Sequence, residues 1–131
     1  MANGCGPIMW KSNTIKRVVR STLAAETCAA VEGLDAAFFI SQIVREMIGT
    51  PSPILAFTDN RPLYKNVHST TMAQEYRLRI DLAAIKEMLS KRELQSLSWV
   101  DKSEQLADCL TKFGASSLLL LSVLESGKIN V

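Results

Sequence analysis

The chain has 131 residues, of which 47% are hydrophobic, and a formal net charge of +2. This length suits one compact domain over residues 1–131, and the apolar content excludes wholesale disorder. The longest apolar runs, Leu34 to Ile40 and Leu118 to Leu121, are too short to span a bilayer. The polar N-terminus shows no secretory signal. We therefore expect an intracellular protein, in the cytoplasm or nucleus, with no membrane partner.

Three widely spaced cysteines and a single histidine form no zinc-binding pattern, so we expect reduced thiols.

The first half of the chain predicts a strand followed by a long helix. Pro7–Lys11 is typical of a short strand, and a polar, basic connection follows it. An alanine-rich, proline-free stretch from residue 22 to about 47 predicts a helix that Gly49 and two later prolines end. Small residues recur with Glu26 at helical spacing, so we expect this face to lie against a sheet. The face consists of Glu26, Ala30, Gly33 and Ala37.

The middle of the chain predicts a buried parallel strand over residues 54–58, which ends at Asp59 and Asn60. A helical turn over 63–67 and a polar loop over 68–72 follow, and then a helix from about 73 to 91. We expect the buried face of this helix to be apolar: Leu78, Ile80, Leu82, Ala84, Ile85, Met88 and Leu89. The opposite face is basic: Arg77, Arg79, Lys86, Lys91 and Arg92.

The last third predicts a strand over residues 94–100, a helix from 103 that includes Asp108, and a final helix within 115–126. The order is then strand, helix, strand, helix, strand, helix. That alternation indicates an α/β fold with parallel strand pairing.

Three acidic residues occupy positions where such a fold carries functional groups. Glu26 lies in the first turns of the long helix, Asp59 at a strand end, and Asp108 in the helix after the last strand. Clustered carboxylates can hold two divalent cations about 4 Å apart, which activate a water for phosphodiester cleavage. Taken singly, each is equally compatible with an ordinary surface acid.

The segment before Glu26 is basic. It contains Lys11, Lys16, Arg17 and Arg20 but no acidic residue. Such a segment is either a solvated loop or a surface that contacts phosphate groups.

Five sequence segments resemble, in the same order, the ribonuclease H domain of copia-type LTR retrotransposon polyproteins. They are PIMWKS from Pro7, RSTLAAETCAAVEGL from Arg20, FTDN from Phe57, RIDLAAI from Arg79 and WVDKSEQLADCLTK from Trp99. The resemblance covers residues 7 to about 113, and its closing segment is the most specific.

The resemblance implies a nuclease that hydrolyses the RNA strand of RNA–DNA hybrids with Mg²⁺ or Mn²⁺. Glu26, Asp59 and Asp108 match the family's catalytic, metal-binding carboxylates. Asn60 matches the family's Asp-Asn strand end, where it either steadies the turn or contacts substrate. Lys16, Arg17 and Arg20 are further candidates for nucleic-acid contact. The reverse transcriptase region of the same polyprotein is the expected partner.

The chain departs from the family at its N-terminus. Family members have two antiparallel strands before the PIMW segment, and the first strand carries an aspartate that bridges both metals. Only residues 1–6 precede that segment here, and none is acidic. We therefore expect an N-terminally truncated ribonuclease H-like fold, lacking its first two strands, with a short partly parallel sheet and flanking helices. We also expect weakened metal binding and little or no nuclease activity.

Two other functions fit the same sequence. The chain could be a non-catalytic nucleic-acid-binding module that uses the basic loop over residues 11–20 and the basic helix face over 77–92. It could also be the relic of a decayed element, with no function of its own.

We expect the isolated chain to be only marginally stable, because the strand that ends at Asp59 lacks a neighbour on one edge. Thermal unfolding followed by circular dichroism should show a broad transition at low temperature. A cooperative transition of the monomer at high temperature would contradict this expectation.

Overall fold

The computed structural model describes residues 5–129. They fall into two compact units. The larger unit is Ile15–Val100, and the smaller unit combines residues 5–14 with residues 101–129. The single domain expected over residues 1–131 stays a prediction.

A long helix, α1, opens the larger unit and spans Thr22–Ile48. The Ser21 hydroxyl caps its first turn by accepting a hydrogen bond from the Ala24 N–H at 3.0 Å. Gly49 ends it in the left-handed conformation at a φ of 80°, which glycine adopts without steric cost, and its N–H bonds the Arg45 carbonyl. The predicted helix is confirmed at both ends.

Two strands pair in parallel within the larger unit. β1 (Leu55–Thr58) lies beside β2 (Ser96–Trp99), with Leu55 opposite Ser96 and Thr58 opposite Trp99. The connection between them contains α2 (Arg61–Val67) and α3 (Tyr76–Ser90). A helical crossover of this kind is what parallel pairing requires. The chain is therefore a mixed α/β protein with a short parallel sheet and flanking helices.

Side chains from α1, α2, α3 and both strand regions form the core of the larger unit. Ile85 and Leu94 are 0% exposed, and Leu63 is 1% exposed. The full buried cluster is Leu34, Ile54, Leu63, Val67, Leu78, Leu82, Ile85, Leu94 and Leu97. Burying each such side chain stabilises the fold by roughly 1.5–3 kcal/mol.

The expectation for the buried face of α1 is confirmed only in part, since Ala30 and Ala37 are partly buried against the core of the larger unit. Glu26 and Gly33 are exposed, and the space around Gly33 is open, so its small size permits no close approach. The buried face instead carries Ala24, Thr27, Cys28 and Leu34, and α1 packs chiefly against α3 and α2.

The strand expected at Pro7–Lys11 does not form, and this segment of the smaller unit is irregular and exposed. A strand needs a hydrogen-bonded neighbour, and pairing among the described residues is confined to β1 and β2.

Two helix predictions needed adjustment. α3 begins at Tyr76 rather than near residue 73, and Ile80 is 52% exposed where we expected it to be buried. Asp81 is buried beside the predicted Leu78, Leu82 and Ile85.

In the smaller unit, the helix expected from residue 103 consists of a 3-10 turn at Lys102–Glu104 and a short α4 at Asp108–Thr111.

The smaller unit contains the predicted final helix, α5, at Leu118–Ser126. Val123 is its buried residue, and Gly127 ends it in the left-handed conformation. The Cys5 N–H donates to the Gly127 carbonyl at 2.6 Å, which joins the two chain segments of this unit.

Of the helices within residues 5–129, α1 is long and apolar enough to cross a membrane by length and composition alone. The core helix of a soluble protein and an N-terminal signal sequence meet the same criterion, so this is weak evidence. The packing of α1 against α3 and α2 accounts for part of its apolar surface. The intracellular location stays a prediction.

Ile85→Ala should lower the free energy of unfolding by about 2–4 kcal/mol, because it leaves a cavity in the core. Ile80→Ala, on the exposed side of the same helix, is the matched control and should cost less than about 1 kcal/mol. Denaturant titration measures both values. Equal losses for the two variants would contradict the packing of α3.

Candidate functional site

Asp59 directly follows the carboxyl end of β1, the edge at which parallel sheets usually carry functional groups. The residue is half-buried, and its main-chain carbonyl accepts a hydrogen bond from the Trp99 indole Nε1–H at 3.1 Å. Its carboxylate makes no hydrogen bond or ion pair with any residue that the structure describes. Among the described residues, Asp59 thus presents an unpaired negative charge at this strand end.

Asn60 serves as the N-cap of α2. Its Oδ1 accepts a hydrogen bond from the Leu63 N–H at 2.8 Å, and its own N–H donates to the Thr58 hydroxyl at 3.1 Å. Of the two predicted roles for Asn60, the turn-stabilising role is the one for which its side chain is placed.

Arg61 is a third polar residue at this strand end, and the sequence did not single it out. Its guanidinium carbon lies 4.3 Å from the centroid of the Trp99 ring. The contact joins residues far apart in sequence, so only the pairing of β1 with β2 reveals it.

Glu26 lies in the second turn of α1 with its side chain exposed. Its neighbour Thr27 is fully buried, and the Thr27 hydroxyl donates to the Leu23 carbonyl at 2.7 Å. The turn that carries Glu26 is therefore anchored from its other side.

Asp108 is the first residue of α4 in the smaller unit. Its Oδ1 lies 2.5 Å from the Lys112 Nζ, in an ion pair between residues one helical turn apart. Glu26 and Asp59 belong to the larger unit, so neither unit by itself contains all three predicted carboxylates.

Within residues 5–129, no three His, Cys, Asp or Glu side chains come together as a group able to hold a metal ion. We therefore derive no step through Mg²⁺ or Mn²⁺. The metal site expected from the resemblance stays a proposal. The thiols of Cys5, Cys28 and Cys109 are all free, as expected.

The basic residues expected to contact nucleic acid differ in their surroundings. Lys16 and Arg20 are exposed. Arg17 instead forms an ion pair with Asp81, whose side chain is 12% exposed. The hydrogen bond to this carboxylate raises the pKa of Arg17. Asp81 therefore holds the basic connection against α3.

The basic face of α3 is partly engaged in local contacts. The Lys86 Nζ donates to the Ser69 carbonyl at 2.7 Å, and Lys91 pairs with Glu87 at 2.6 Å. The hydrogen bond from Lys91 lowers the pKa of Glu87. Arg77 is exposed.

Comparisons with protein-family models, with curated proteins and with solved structures give no match to this chain.

Asn60→Ala should lower the free energy of unfolding by about 1 kcal/mol, because the Leu63 N–H loses its acceptor. Asn60→Ser, which retains a capping oxygen, should recover most of that loss. Asp59→Asn should change the free energy of unfolding by less than about 0.5 kcal/mol, because the carboxylate has no partner among residues 5–129. Denaturant titration compares all three. A loss for Asp59→Asn as large as for Asn60→Ala would contradict these assignments.

Proposed function

We propose that this chain is a fragment of the ribonuclease H domain of a copia-type retrotransposon polyprotein. In the full form, such a domain hydrolyses the RNA strand of an RNA–DNA hybrid by two-metal catalysis, next to the reverse transcriptase region. This chain alone retains nucleic-acid binding and has little or no nuclease activity.

The position of Asp59 is the observation that carries the proposal. It follows β1 in a parallel pair joined by a helical crossover, and its carboxylate has no partner among the described residues. The segment FTDN, which contains this residue, is one of those that resemble the family. A strand-end carboxylate that does not stabilise the fold is suited to a ligand or a metal ion.

The expected lack of activity follows from the number of carboxylates. A bound pair of divalent ions would activate water and stabilise the leaving oxygen. The predicted ligands are Glu26, Asp59 and Asp108, three carboxylates where the family uses four. With so few carboxylates, Mg²⁺ or Mn²⁺ would bind weakly.

The second candidate is a nucleic-acid-binding or interaction module that never cleaves. Exposed cations of the larger unit favour it, since Lys16, Arg20 and Arg77 form no ion pair with a described residue. Such cations contact phosphates with an affinity that falls as salt rises.

Purified chain should bind an RNA–DNA hybrid in a salt-dependent manner and should leave its RNA strand intact in Mg²⁺ or Mn²⁺. A variant carrying Glu26→Gln and Asp59→Asn is the matched control, and it should also leave the RNA strand intact in the cleavage assay. Gel analysis of end-labelled RNA measures cleavage, and fluorescence anisotropy measures binding. Metal-dependent cleavage that the double variant lacks would contradict the expected inactivity, and absence of binding would contradict the proposed function.

A further inference from the structure

An aromatic ring holds one cation beside Asp59. Arg61 is exposed, and its guanidinium carbon lies 4.3 Å from the centroid of the half-buried Trp99 ring. A guanidinium stacked on an indole is attracted by the π face of the ring, which limits the conformations of the arginine side chain.

The ring itself is fixed by the fold. Trp99 is the last residue of β2, where it lies opposite Thr58 of β1. Its indole N–H bonds the Asp59 carbonyl at 3.1 Å, so the ring cannot rotate without losing that bond. The Arg61 guanidinium therefore lies over a ring that is hydrogen-bonded to the Asp59 main chain.

The charge of Arg61 is not neutralised within the described part of the chain. Arg17, Lys91 and Lys112 each pair with a carboxylate, whereas no described carboxylate lies within ion-pair distance of Arg61. A guanidinium carries five N–H donors that lie in one plane. Those donors fit two oxygens of one phosphate group.

We propose that Arg61 contacts a backbone phosphate of the bound nucleic acid and positions that backbone beside Asp59. The ligand is the phosphodiester backbone of an RNA–DNA hybrid, so this inference rests on the proposed function. Trp99 acts as a positioning residue, because it orders Arg61 and does not itself contact the phosphate.

Anisotropy titrations of a labelled RNA–DNA hybrid at salt concentrations between about 50 and 200 mM test the proposal. Arg61→Ala should weaken binding roughly tenfold and reduce the slope of log affinity against log salt by about one. Arg61→Lys, which keeps the charge without the planar fork, should recover part of the affinity and most of the slope. Lys65→Ala removes one exposed charge from the same helix and is the matched control. It should change both quantities much less.

Emission from Trp99 provides a second readout, measured in a Trp10→Phe background so that one tryptophan reports. Hybrid binding should change this emission in the chain with Arg61 and much less in Arg61→Met, which keeps an apolar contact with the ring but lacks the charge. If Arg61→Ala does not fold, as judged by circular dichroism, Arg61→Met replaces it in the titrations.

The titrations distinguish the role of Arg61 from the proposed nucleic-acid binding of the whole chain. If the chain binds the hybrid and the Arg61 variants match Lys65→Ala in affinity and slope, the role of Arg61 is overturned while the proposed function stands. If the unmodified chain does not bind the hybrid at the lowest salt, the proposed function itself fails. A selective loss in Arg61→Ala with partial recovery in Arg61→Lys supports the assignment.

Discussion

The parallel pairing of β1 with β2 is the interaction on which the candidate site depends. Its ladder extends beyond the strands, since the Ile54 carbonyl accepts from the Gln95 N–H and the Thr58 carbonyl accepts from the Val100 N–H, both at 2.9 Å. This register brings Trp99 to the strand end that carries Asp59. A two-stranded sheet is marginal alone, so the pairing depends on the core that α1, α2 and α3 build around Leu94 and its neighbours.

Some polar groups at this strand end make hydrogen bonds within the fold, and others make no ion pair with the described residues. The Asn60 side chain caps α2, and the Trp99 indole N–H donates a hydrogen bond to the Asp59 main-chain carbonyl. The Asp59 carboxylate and the Arg61 guanidinium make no ion pair with the described residues. Charges of opposite sign two residues apart at this strand end form a polar surface that can contact both anionic and cationic groups of a ligand.

Local signals in the sequence predicted the elements that depend on local chemistry. The Ser21 cap and the Gly49 stop define α1, and the apolar run before Asp59 defines β1.

Features that depend on tertiary contacts were predicted less well from the sequence. The Pro7–Lys11 segment has strand-like composition, but composition cannot supply a pairing partner. Small residues at helical spacing predicted only part of the packed face of α1, since Ala30 and Ala37 pack against the core whereas Glu26 and Gly33 are exposed. The stacking of Arg61 on Trp99 depends on strand register, which short-range patterns do not encode. The grouping of Glu26, Asp59 and Asp108 that the resemblance implies stays a prediction.

We propose that Asp59 lies at the strand end of a ribonuclease H site. The most direct test is to extend the chain ahead of Pro7 with the antiparallel strand pair of a copia-type ribonuclease H domain, including its aspartate. The extended chain is then assayed for metal-dependent cleavage of the RNA strand of an RNA–DNA hybrid. We predict that cleavage appears and that Asp59→Asn in the extended chain abolishes it. An extended chain that folds cooperatively yet does not cleave in Mg²⁺ or Mn²⁺ would contradict the account.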